Sequence, residues 1–127
     1  MPTKEQMIGT VEAYAAAQCA GDLDAIAALF ALDAVGSDPV HEPAHLGREA
    51  IRAFFAGTRE LLESLDLQIT GPVRAVGDYA AVPLRAVSTL GGSRVGVDII
   101  DVFTFGEDGL IVDMKAYWDP AGITPLD

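Results

Sequence analysis

The chain has 127 residues, half of them apolar and 21% charged, which is the balance of one folded domain and not of a disordered segment. A chain of this size buries about two-thirds of its unfolded surface, so neither a disulfide framework nor a structural metal is required. Eight Lys and Arg against 19 Asp and Glu leave a net charge of −11, which argues against nucleic acid and anionic membranes as partners.

Thr3 followed three residues later by Gln6 predicts a capping box, and Met7, Val11, Tyr14 and Ala15 recur at helical spacing until Gly21 stops the first helix. The single cysteine, Cys19, cannot bridge internally. The N-terminus carries no signal-peptide pattern and no apolar run reaches the ~18 residues of a membrane span, so the expected setting is the cytoplasm. Asp22 caps a second, short helix predicted to reach Phe30. A short strand is predicted from Ala34 to Asp38, then a loop from Pro39 to Gly47 carrying two prolines and a glycine. A third helix is predicted from Arg48 to Leu65, with Ile51, Phe54, Phe55, Leu61 and Leu62 on its apolar side.

Beyond Leu65, Gly71-Pro72, Gly77-Asp78, Gly91-Gly92 and Gly106 to Gly109 punctuate runs rich in Val, Ile and aromatics. They predict roughly four strands joined by tight turns. Helices followed by such a meander give an α+β fold, one domain over residues 1–127, in which helices cover one face of a curved antiparallel sheet.

Strand parity then sorts the faces, because side chains alternate. Around residue 100 the odd row reads Val95, Val97, Ile99, Asp101, Phe103, Phe105, and the even row Arg94, Gly96, Asp98, Ile100, Val102, Thr104. One carboxyl, Asp101, stands in an otherwise apolar row. The last strand is expected to place Leu110, Val112, Met114, Ala116 and Trp118 on one face, and the strand near residue 84 to place Ala80, Val82, Leu84, Ala86 and Leu90 together. An ionised carboxylate on such a wall is costly to desolvate. Asp101 is therefore either a neutral hydrogen-bond donor or a buried Asp satisfied by backbone donors or an arginine.

Three other features invite a chemical reading. Tyr14 lies on the buried stripe of the first helix, either as a core tyrosine or as a phenol aimed at the pocket of Asp101. Asp38, before Pro39, either sets a turn or serves as a general base at the pocket mouth. His41-Glu42-Pro43-Ala44-His45 matches the zinc-protease pattern as text, but Pro43 between the histidines opposes the single helical face that zinc ligation needs, so no metal is expected. Cys19 has no cationic neighbour in sequence to activate it as a nucleophile.

Tyr14 ahead of Gly21-Asp22, Asp38-Pro39, Gly47-Arg48-Glu49, Thr70-Gly71-Pro72-Val73-Arg74-Ala75, Asp98-Ile99-Ile100-Asp101-Val102 and Ala116-Tyr117-Trp118, in this order, resemble the bacterial Δ5-3-ketosteroid isomerases. The resemblance covers nearly the whole chain. It implies the cone-shaped α+β fold of the nuclear transport factor two-like superfamily, with a curved, mostly antiparallel sheet covered by three N-terminal helices. It further implies a cofactor-free steroid Δ-isomerase, active as a homodimer on a small steroid substrate. Asp38 would be the general base, Tyr14 and protonated Asp101 the oxyanion donors. Val97, Ile99, Phe103, Met114, Ala116 and Trp118 would form the steroid-binding wall, together with Leu84, Phe30 and Phe55.

The chain departs from the family at three of these positions. Phe30 and Phe55 stand where tyrosines hydrogen-bond towards the catalytic tyrosine, which implies a weaker phenol donor. Leu84 replaces a larger aromatic. Two rivals remain: a non-catalytic ligand-binding or dimerisation module of the same fold, and a polyketide-cyclase-like or epoxide-hydrolase enzyme. Parity turns Arg85 and Arg94 away from Asp101, against an Asp-Arg-Asp hydrolase cluster.

Overall fold

The computed structural model describes residues 1–126. Three helices, α1 (Lys4–Ala20), α2 (Leu23–Ala27) and α3 (Arg48–Leu61), lie against one eight-stranded sheet. Its strands are β1 (Phe30–Ser37), β2 (His45–Leu46), β3 (Ser64–Ile69), β4 (Arg74–Val76), β5 (Tyr79–Leu90), β6 (Ser93–Phe105), β7 (Ile111–Tyr117) and β8 (Thr124–Pro125). The order is β2-β1-β7-β6-β5-β3, with β4 also on β5 and β8 also on β6. Every pairing is antiparallel except that of β1 with β7.

Helix α1 begins as its sequence dictates. Thr3 Oγ1 accepts from the Gln6 amide at 3.1 Å while Gln6 Oε1 accepts from the Thr3 amide at 2.8 Å. Gly21 ends it with φ 67°, a backbone conformation that favours glycine, and a Cβ there would lie 2.7 Å from Arg59 Nη2, so the Arg59 side chain would have to shift. Arg59 of α3 in turn donates to the Gln18 carbonyl at 3.3 Å, a cation on the carbonyl end of the helix.

Four boundaries differ from expectation, each because a long-range pairing overrides the local pattern. Helix α2 stops at Ala27, since the Leu29 carbonyl accepts from Ile111 and Phe30 pairs with Ile111, opening β1 earlier than Ala34. Within the Pro39–Gly47 loop, His45 and Leu46 pair with Gly36 and Val35 as β2. Helix α3 ends at Leu61, because Leu62 is extended, Glu63 donates to the Thr89 carbonyl and Leu65 pairs with Ser88. The second half therefore holds six strands, the short β4 and β8 included, where about four were expected.

The parity rows of β5 and β6 hold along most of their length: Ala80, Val82, Leu84 and Ala86 are buried, as are Asp101, Phe103 and Phe105, while Asp98 and Ile100 face out; Leu90, at the end of the β5 row, borders the cavity but is exposed. In β7 the row breaks. Phe103 pairs with Met114 and Thr104 with Asp113, but Phe105 pairs with Ile111, which leaves Val112 as an extra residue. This bulge turns Ile111 into the core with no exposed surface, and leaves Leu110 and Val112 half-buried. The core itself joins Met7, Val11 and Tyr14 of α1 to Phe30, Ile51, Val82, Phe103 and Met114.

The bulge makes a stability prediction. Ile111→Ala should cost about 2–5 kcal/mol, as for a buried large-to-small change, and Val112→Ala only about 1 kcal/mol. Urea midpoints at unchanged slope read the difference. Equal losses would contradict the bulge.

Candidate active site

Asp101 lies in the middle of β6, flanked in register by Val82 of β5 and Ala116 of β7. It is 3% exposed, and its Oδ1 has no hydrogen-bond partner. Of the two roles left open for it, satisfaction by backbone or arginine does not hold for that oxygen. Tyr14 reaches the same region from α1. Its ring is held edge-on by Phe30, Phe55 and Phe103, with centroids 6.3, 6.2 and 5.4 Å away.

Asp38 follows β1 directly, and two contacts with the β7 segment fix it there. Val40 donates to the carbonyl of Ala116 at 2.8 Å, the residue that pairs with Asp101. The Trp118 indole N–H donates to Asp38 Oδ1 at 2.7 Å. The parallel β1–β7 pairing thus carries Asp38 to the strand beside Asp101.

All three side chains open onto one cavity of about 640 Å³. Its polar end holds Tyr14, Gln18, Asp38, Asp101 and His45, and its walls are mostly apolar, with Phe54, Leu62, Leu65, Leu67 and Ala86 among them. Of the expected wall residues, Phe55, Val97, Ile99, Ala116 and Trp118 border it. Phe30, Leu84, Phe103 and Met114 do not. They are buried in the cluster that also holds Met7 and Val11, so their part of the face is filled by α1 and not by open space.

Electrostatics separate the two carboxyls. Burial, and then the charge of Asp38, hold the Asp101 carboxyl well above the usual carboxylate range. Burial also raises Asp38, but its Trp118 hydrogen bond and the neighbouring His45 pull it back. Asp38 therefore ionises first while Asp101 keeps its proton. Tyr14 is raised well above the ordinary phenol value by burial and by the charges of Asp101 and Asp38, with Gln18 opposing, so it too remains a donor.

A SnoaL-like domain model matches residues 11–114. The chain belongs to the SnoaL-like domain family. It is 38% identical over 117 residues to the steroid Delta-isomerase of Nocardioides simplex, covering 91% of this chain and 93% of that one. It is 32% identical over 105 residues to the epoxide hydrolase LasB of Streptomyces lasalocidi, covering 78% of this chain and 36% of LasB. Among solved structures, the epoxide hydrolase/cyclase-like enzyme SalBIII, described in pyran ring formation in the polyether salinomycin, superposes with a TM-score of 0.89. That match is at 28% identity over 98% of this chain and 99% of that one. The chain thus has the nuclear transport factor two-like architecture, with SalBIII as a structural neighbour, and its relatives are named as an isomerase and as epoxide hydrolase or cyclase-like enzymes.

In this SnoaL-like domain the polar residue in contact with Tyr14 escaped the sequence reading. Gln18 is 3% exposed, borders the cavity and donates from Nε2 to Tyr14 Oη at 3.1 Å. It continues the stripe Met7, Val11, Tyr14 by one more helical turn, so periodicity could have found it. By occupying an acceptor position on the phenol oxygen, it leaves the Tyr14 proton free to donate. Trp118, expected as apolar wall, is also a polar contact of Asp38.

Of the remaining candidates His41, His45, Cys19 and Arg85, only His45 borders the cavity. His41 lies in the turn after Asp38 and His45 on β2, where it stacks on Phe54 with centroids 4.3 Å apart, so the two histidines share no helical face. Cys19 accepts from the Leu67 amide at 3.2 Å, tying α1 to β3. Arg85 pairs with Asp98 on the face opposite Asp101, and no arginine borders the cavity among the described residues.

The raised Asp101 carboxyl sets a pH dependence of stability. A group whose folded value is raised contributes stability that is complete below the unfolded carboxyl value, near ~3.9, and lost as pH rises through the folded value. Asp101→Asn cannot ionise, so its stability relative to the parent should climb by up to about 1.4 kcal/mol per pH unit across that window. Urea titrations of both proteins at a series of pH values test this, and parallel curves would refute it.

Proposed function

We propose that the protein is a cofactor-free steroid Δ-isomerase that converts Δ5-3-ketosteroids to their conjugated Δ4 isomers. The observation that carries this reading is the unpartnered, proton-holding Asp101 and the Tyr14 phenol opening onto the cavity that also exposes the more acidic Asp38. An apolar cavity with a few converging polar groups suits a flat hydrocarbon bearing one reactive ketone.

The chemistry follows from those three groups. Ionised Asp38 takes the proton from C4, and the electron pair moves through C3 to make a dienolate with its charge on O3. Tyr14 and the neutral Asp101 donate hydrogen bonds to that oxygen as charge develops, in a site already desolvated. Protonated Asp38 then returns the same proton to C6, the double bond comes to rest between C4 and C5, and the C3 carbonyl reforms. The proton balance closes without a cofactor. Trp118 holds the base through one oxygen, which leaves the other to travel with the proton between C4 and C6.

A second reading has specific support in LasB and SalBIII. An ionised carboxylate beside a neutral one can equally deprotonate a hydroxyl while the acid protonates an epoxide oxygen. Isomerisation ranks first because the steroid isomerase relative matches at higher identity and along nearly its full length. The site is proposed to work in a homodimer, following the family resemblance.

Incubation with 5-androstene-3,17-dione, followed by the ultraviolet absorbance of the conjugated enone, tests the reaction. Asp38→Asn should abolish turnover, and Tyr14→Phe and Asp101→Leu should each lower kcat by about 10²–10³-fold. Because the base must be ionised and Asp38 is raised, kcat/KM should fall on the acid side at a pH above the ordinary aspartate range. Turnover that survives Asp38→Asn removes the assignment, and opening of an epoxide in place of isomerisation selects the second reading.

A further inference from the structure

Three large apolar side chains that border the cavity are exposed: Leu61 at 68%, and Leu90 and Ile123 at 39% each. They come from three separate places in the chain, the end of α3, the end of β5 and the residue before β8. Register brings them to one end of the sheet. Leu90 pairs with Ser93 at the β5–β6 turn, and Thr124, the neighbour of Ile123, pairs with Gly96 of β6. Glu63, two residues after Leu61, donates to the carbonyl of Thr89 of β5 at 2.8 Å. The half-buried Leu65 and Val95 continue the same lining inwards.

This apolar end lies far from the chemistry. Val95 is six residues before Asp101 on β6, which is about 20 Å of strand at ~3.3 Å per residue. On β5, Leu90 is further still from Val82, the residue opposite Asp101. The fused rings of a steroid are shorter: at ~1.5 Å per carbon–carbon bond, C17 stands no more than about 12 Å from C3. A 3-ketone held by Asp101 and Tyr14 therefore ends before the cavity does, and the part left over is lined mostly by hydrocarbon. Exposed apolar surface favours whatever apolar group covers it, and the molecule already seated in the cavity is the one continuous with this rim.

We infer that Leu61, Leu90 and Ile123 form a subsite for a hydrocarbon chain, the tail that the substrate carries on the ring remote from its reacting carbonyl. This rests on the isomerase reading and narrows it to one class: sterol-derived Δ5-3-ketones that keep an aliphatic side chain on C17, in preference to those whose C17 bears oxygen alone.

Binding of conjugated 3-ketones that differ only in this chain reads the subsite without turnover. Dissociation constants of androst-4-en-3-one, which has no chain, and of pregn-4-en-3-one and chol-4-en-3-one, with successively longer ones, are measured for the parent protein, Leu61→Ser and Ile123→Ser. Both side chains are exposed, so the fold tolerates the changes. The parent should bind the longest-chain steroid at least about tenfold more tightly than the chainless one, less than the burial of two methylenes supplies. Each variant should reduce that ratio about three- to tenfold. Affinities of the parent that do not depend on the chain would overturn the inference, as would an equal loss for all three steroids in the variants, or binding of none by the parent. Sedimentation of the same proteins supplies one more check: a parent dimer that either variant turns into monomers would assign the rim to a second copy of the chain and overturn the inference too. Turnover of 5-androstene-3,17-dione is scored separately. Chain-dependent affinity without turnover upholds the subsite and removes only the reaction.

Discussion

A carboxyl group built into an apolar wall is the constraint on which this molecule turns. Ionising Asp101 there would strip a full charge of its water, a far larger penalty than any one side-chain contact returns. The fold resolves the conflict by keeping the proton, and the nearby charge of Asp38 pushes in the same direction. Two chemically identical groups become unlike through environment alone. One has an indole N–H and a histidine beside it; the other has an orphan oxygen and hydrocarbon.

The sheet supplies that asymmetry by topology. Long antiparallel strands set Asp101 between two apolar neighbours, and only a parallel return of β1 along β7 brings the Asp38 turn to the same end. The Val40–Ala116 hydrogen bond ties that turn to the residue beside Asp101. The pair of carboxyls is thus held by backbone register and not by long flexible side chains, the more exact way to fix reacting groups.

Much of this was legible in the sequence because period-2 and period-3.6 patterns report faces directly. The capping box at Thr3, the stop at Gly21 and the oddity of Asp101 all follow from local chemistry. What was not legible depends on pairing at a distance. Phe30 reads as the end of a helix until Ile111 claims it for the sheet, and Leu65 reads as helix until Ser88 pairs with it. The bulge at Val112 has no glycine or proline to announce it, so Leu110 and Val112 were expected in the row whose place Ile111 takes. Among site residues, parity and resemblance placed Val97, Ile99 and Ala116 on the cavity face but could not tell that face's open part from its filled part. Hence Phe103 and Met114 were expected on the wall and lie in the core.

On the isomerase reading, phenylalanine at positions 30 and 55, where the resemblance implies tyrosines, changes how the proposed oxyanion donors are supported. A phenol that accepts hydrogen bonds from other phenols is polarised by them; here both ring positions contribute only edge contacts to Tyr14. Gln18 supplies the one polar contact the phenol oxygen receives, from the same helix and one turn away. An amide is a weaker acid than a phenol, so the polarisation it lends Tyr14 is smaller, and in the proposed reaction more of the developing charge on a bound oxygen would fall to Asp101. A neutral carboxylic acid is a stronger acid than a phenol, and Asp101 Oδ1 has no hydrogen-bond partner among the described residues. The same acid could serve an epoxide oxygen as readily as an enolate. What separates the chemistries open to this scaffold is therefore less the acid–base pair than the shape of the apolar cavity that presents the substrate to it.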